Sequence, residues 1–127
     1  MDQLDGARVL VVDDSPLART QMTRQLDAAG AEVTAVSSAA EALAALATAP
    51  IDVVICELQL PGSDGFALLR AAREARPDLR AIAITAHADD ETRRRALVAG
   101  FDDFIPKLVS ALLVPSVARL RERDVTG

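Results

Sequence analysis

The sequence predicts an α/β domain, an open parallel sheet with helices on both faces. Three observations carry this. Arg8 to Val12 is apolar at four successive positions, and Ile51 to Cys56 is apolar but for Asp52, as in strands buried on both faces. Each run stops at carboxylates, Asp13-Asp14 and Glu57. Between and after these runs, strand-like and helix-like segments alternate along the chain, which requires right-handed crossovers and a parallel sheet.

After the first strand, Ser15 is placed as a helix N-cap with Pro16 at the first helical position. Ala18, Met22 and Leu26 recur at helical spacing, and Gly30 closes that helix. Glu32 to Val36 alternates polar and apolar residues, a half-exposed edge strand. Ser38 and Glu41 form a capping box for a second helix whose inward face is read as Ala39, Leu43 and Leu46. Pro50 stops it before the central strand. After the Pro-Gly-Ser-Asp-Gly turn, Phe66, Leu69 and Ala72 mark a third helical face, ended by Pro77.

Leu79 to Ile84 is the fourth strand, running into Thr85 and Ala86. Asp89-Asp90-Glu91 opens a fourth helix on dipole grounds, with Leu97 and Val98 inward and Gly100 as its cap. Asp103 to Lys107 is a last strand, and Pro106 within it has no N–H to donate, so it belongs at an edge. Val117 and Leu120 mark a final helix, with arginines 119, 121 and 123 near its end. Pro115 falls inside that helix unless it starts late, so Leu108 to Val114 is expected to be irregular. With the second and fifth strands at the edges, the strand order is 2-1-3-4-5, the flavodoxin-like doubly wound sheet.

Composition bounds the function. At 127 residues and 50% apolar, the chain makes one domain, 1–127, with a core over about 7–123 between a polar start (Met1 to Gly6) and a polar tail. A net charge of −5 argues against direct contact with nucleic acid. The single cysteine, Cys56, suits a reducing compartment and reads as a buried apolar residue. No apolar run reaches the roughly 20 residues of a membrane helix, so the expected location is cytoplasmic. Of 14 basic residues, Lys107 is the one lysine, which singles out a position wanting a compact ammonium.

In a 2-1-3-4-5 sheet the ligand site lies outside the carboxyl ends of the strands, where the first and third strands part. Asp13, Asp14 and Glu57 converge there, a repelling cluster that a cation should neutralise. Oxygen donors with access to water suit Mg²⁺. Thr85 offers a hydroxyl, Ala86 leaves room, and Lys107 adds a positive charge, together a clamp for a phosphoryl group. His87 and arginines 93 to 95 read as solvated.

These positions resemble the receiver domain of two-component response regulators, over Ala7 to about Arg123. The resemblance rests on Asp13-Asp14, on the slot four residues before Pro61, on Thr85-Ala86 and on Lys107. The stretch Ala83 to Lys107 is similar to receivers attached to hybrid histidine kinases. It implies Mg²⁺ on Asp13, Asp14, Glu57 and the Gln59 backbone carbonyl, weak or absent here. It also implies switch residues Thr85 and Phe104, and as partner a histidine kinase, a phosphorelay protein or an output domain. If the chain self-associates, the expected surface is the fourth helix, last strand and fifth helix, with Phe104 favouring burial.

Two departures stand out. Glu57 occupies the slot where the family has its phosphoacceptor Asp, and Leu108 stands where a Pro usually follows the lysine. The implied function is a pseudo-receiver, a non-enzymatic interaction module with at most weak phosphoryl-transfer or autophosphatase chemistry. A phosphorylatable receiver and a Mg²⁺-dependent phosphatase of the haloacid-dehalogenase type remain as alternatives; adjacent aspartates and the lack of a cap segment count against the latter.

Overall fold

The computed structural model describes residues 2–122. Its main sheet is built from β1 (Arg8–Val12), β2 (Glu32–Val36), β3 (Val53–Glu57), β6 (Arg80–Thr85) and β7 (Asp103–Pro106). A two-stranded ribbon, β4 (Gln59–Leu60) and β5 (Ser63–Asp64), follows β3. The helices are α1 (Pro16–Ala28), α2 (Ala39–Thr48), α3 (Gly65–Ala75), α4 (Asp90–Ala99) and α5 (Leu113–Glu122). The main-sheet order is β2-β1-β3-β6-β7, all parallel, which is the expected 2-1-3-4-5 once the ribbon is set aside.

The caps follow the sequence. Ser15 Oγ accepts from the Ala18 N–H, Asp64 Oδ1 from Ala67, and Asp89 Oδ1 from Thr92. Each satisfies an amide that the first helical turn leaves without a backbone partner. The box at α2 is shifted by one residue: Ser38 Oγ accepts from Glu41 N–H, while the Glu41 carboxylate reaches back to the N–H and hydroxyl of Ser37.

Two apolar layers flank the sheet. One packs Leu10, Val12, Val54 and Cys56 with Leu46, Leu69, Ala96 and Phe104. The other packs Val9, Val11, Ile55 and Ile84 with Met22, Leu26, Leu113 and Leu120. Leu4 belongs to the second layer and is fully buried, its N–H donating to the Ala29 carbonyl. The buried chain therefore begins inside the segment read as a polar start. The far end of the expected core, Arg123, lies outside the described residues.

Two helical phases differ from the expectation. In α2, Ala42 and Leu46 are buried and Leu43 is exposed; in α4, Ala96 is buried while Leu97 and Val98 face outward, Val98 at 82% exposure. The cause is the same in both. The inward position is an alanine, which lets the helix sit close to the sheet but carries no strong apolar signal. Pro115 lies in the first turn of a late-starting α5, preceded by a 3₁₀ segment over Lys107–Leu112 in which Val109 leaves helical geometry. The irregularity expected over Leu108 to Val114 thus ends where α5 begins, at Leu113.

Candidate functional site

At the carboxyl edge of the sheet, β1 and β3 end side by side, with Val12 opposite Cys56. The next residue of each strand is a carboxylate: Asp13 is 0% exposed and Glu57 6%. Two buried anions in adjacent strands demand a counter-charge. Lys107, which follows the edge strand β7, supplies it. Its ammonium lies 2.9 Å from Asp13 Oδ2 and 2.6 Å from Glu57 Oε1. A compact ammonium can join two oxygens from different strands at one point, which a planar guanidinium does poorly.

The remaining oxygens are also occupied. Asp13 Oδ1 accepts from Ser15 N–H at 2.9 Å, and Glu57 Oε2 from Gln59 N–H at 3.3 Å. Arg19 donates to the Asp13 backbone carbonyl at 2.8 Å, tying α1 to the same corner. Burial pushes the Lys107 ammonium down, but the hydrogen bonds and charges of Glu57 and Asp13 outweigh it, so its pKa is raised above the ordinary lysine value.

A close backbone approach holds Glu57 in place. Gly65, the first residue of α3, donates its N–H to Leu58 O at 2.8 Å. A Cβ there would lie 2.7 Å from Glu57 O and 3.0 Å from Leu58 Cα, so only glycine fits.

The expected site residues separate into two groups. Asp13, Glu57 and Lys107 are in direct contact. Thr85 ends β6 opposite Pro106, one residue before Lys107; it is buried, and its hydroxyl accepts from His87 N–H at 3.1 Å. Phe104 is buried in the α2/α3/α4 layer. Asp14, by contrast, is exposed, so the crowd of three carboxylates does not form. Asp14→Asn is accordingly expected to change stability by less than about 0.5 kcal/mol in chemical denaturation, as for an ordinary surface substitution.

Gln59, expected to offer its backbone carbonyl to a metal, also contributes its N–H to Glu57. The oxygen donors have the hardness Mg²⁺ wants, and no backbone amide reaches Asp13 Oδ2. Yet the Lys107 ammonium sits against that atom, and among the described residues no three His, Cys, Asp or Glu side chains gather at metal-binding geometry. As arranged, these residues do not form a Mg²⁺ cage.

Sequence reasoning missed Arg19 and the Ser15 and Gln59 amides. Backbone donors carry no residue-type signal, and Arg19 looks like any polar residue on an exposed helix. Cys56 is buried, and burial pushes its thiol up, so it is inert as a nucleophile. His87 and arginines 93 to 95 are exposed, and Arg95 lies over the Phe66 ring.

Known proteins share this arrangement of strands. A family model described as the response regulator receiver domain matches residues 9–114. The chain is 36% identical over 108 residues to the sensor protein TorS of Escherichia coli (strain K12), across 84% of this chain and 12% of that one. It is 38% identical over 116 residues to the C4-dicarboxylate transport transcriptional regulatory protein DctD of Rhizobium meliloti (strain 1021), across 91% of this chain and 25% of that one. It thus spans a quarter or less of the length of these two relatives. A solved structure of the response regulator protein TrrA from Thermotoga maritima, in complex with Mg(2+)-BeF, matches with a TM-score of 0.81 at 27% identity, covering 90% of this chain and 98% of that one.

Proposed function

The chain belongs to the response regulator receiver domains, and from that premise we propose that it is a pseudo-receiver: a signalling module that acts through protein contacts without accepting a phosphoryl group on its central carboxylate. One observation carries the reading. The Glu57 carboxylate is already held by Lys107 at 2.6 Å, so the group that should take up a phosphoryl is itself the anion in the site. An acceptor must reach its donor, and this one is buried and bonded.

The relatives, one a sensor protein and one a transcriptional regulator, support the partner class. It is a histidine kinase, a phosphorelay protein or an output domain, met in the cytoplasm, with the module itself no enzyme. Mg²⁺ binding is weak, because the ammonium holds the position between the buried carboxylates. Arg119, on the surface considered for self-association, pairs with Asp103 at 2.8 Å inside the chain. Among the described residues, no helix is long and apolar enough to cross a membrane.

The test is the amide NMR spectrum before and after adding Mg²⁺ with beryllofluoride, a phosphoryl mimic. The wild-type spectrum is expected to stay unchanged, and that of Glu57→Asp to shift around Thr85 and Lys107. Shifts of equal extent in the wild type would mean a working receiver.

A further inference from the structure

α3 and α4 leave between them a groove of about 730 Å³. Its apolar part is Phe66, Leu69 and Val98; its cationic part is Arg70, Arg94 and Arg95. The chain as a whole carries −5, so this face inverts the charge of the molecule around it. Glu74 is the one acid lining it.

The arginines are not equivalent. Arg73, also at the groove, is committed to the fold: it donates to the carbonyls of Leu79 and Gly100 and pairs with Asp102. Arg95 covers the Phe66 ring at 5.1 Å, a cation–π contact. Arg70 and Arg94 are exposed and have no ion pair or hydrogen bond among the described residues. Beside them stand Val98 and, one residue earlier, Leu97, at 82% and 41% exposure, an apolar edge that the fold does not cover.

We propose that this groove docks an acidic amphipathic helix of a partner protein, its apolar side chains against Phe66 and Val98 and its carboxylates on Arg70 and Arg94. Two parallel features select that occupant. Guanidinium forks pair bidentately with carboxylates, and a groove between two helices accepts a third by its apolar stripe. A small phosphate-bearing ligand would use the arginines but leave the apolar edge in water. A nucleic acid would meet the repulsion of the whole acidic chain. The groove lies on the α3 side of α4, away from the α4–β7–α5 surface, and its occupation does not depend on the chemistry at Glu57.

Fluorescence anisotropy with a labelled peptide of about 14 residues, Leu at i, i+3, i+4 and i+7 and Glu elsewhere, tests this. Parallel probes carry Gln for every Glu, or Glu for every Leu, and pyrophosphate is the competitor. Only the Leu/Glu peptide is expected to bind, with affinity that falls as salt is added. Roughly tenfold or greater weakening is expected in Arg70→Glu/Arg94→Glu and in Val98→Asp, and none in Arg93→Glu, which lies outside the groove. All these residues are exposed, and melting curves will show that the variants fold. The proposal is overturned by no binding, by equal binding of the Gln peptide, by equal loss in Arg93→Glu, or by displacement with pyrophosphate at peptide-like concentrations.

Discussion

Lys107→Met is expected to cost about 3 kcal/mol of folding stability near neutral pH, the lower end of what removing one partner of a buried ion pair costs. The lower end applies because the lysine side chain is 24% exposed and partly screened by water. Methionine keeps most of the volume but leaves Asp13 and Glu57 buried without a counter-charge. The pH dependence identifies the cause. The wild-type ammonium titrates above the ordinary lysine value of 10.5, so its contribution is complete below that value and is lost as pH rises through the raised one. Wild type and variant should therefore converge in alkali. Urea denaturation from neutral to alkaline pH measures this; a deficit constant with pH would mean that Lys107 matters for packing alone.

Glu57→Asp is expected to convert the chain into a phosphoacceptor, with an increase in labelling rate on the order of a hundredfold. Removing one methylene draws the carboxylate back toward the β3 backbone by roughly a bond length, and ~1 Å of placement is worth that factor in rate. The shortened side chain also gives up its 2.6 Å bond to Lys107, leaving an ammonium held by Asp13 alone to meet an incoming phosphoryl oxygen. Intact mass after treatment with acetyl phosphate and Mg²⁺ should show one added phosphoryl in Glu57→Asp, abolished by EDTA. Failure of the variant to label would show that the closed site has another cause.

The strands and their carboxylates were legible because burial on both faces writes an apolar run into the sequence. Arg8–Val12 was placed to the residue by that signal and Glu32–Val36 by its polar–apolar alternation, while Pro106 fixed β7 at the edge. Helical phase was less legible wherever alanine faces inward. Ala42 and Ala96 set the orientation of α2 and α4, while the larger Leu43 and Val98 look inward in the sequence and are outward in the fold. The outward Val98 is what gives the α3/α4 groove its apolar edge.

At the site, the sequence brought Asp13, Glu57 and Lys107 together but put Asp14 with them. Adjacent residues leaving a strand point in different directions, and only one of the aspartates follows the sheet inward. A lone lysine among arginines was the strongest clue, and its bonds to two strands account for it.

That Glu57 serves as the site's own anion rests on its bond to Lys107. The most direct test is a double-mutant cycle of Glu57→Gln and Lys107→Met, with the unfolding free energy of all four proteins measured at neutral pH. A favourable coupling on the order of 2 kcal/mol between the two positions is predicted, as for contacting charges in one network. Additive losses, with no coupling, would contradict it.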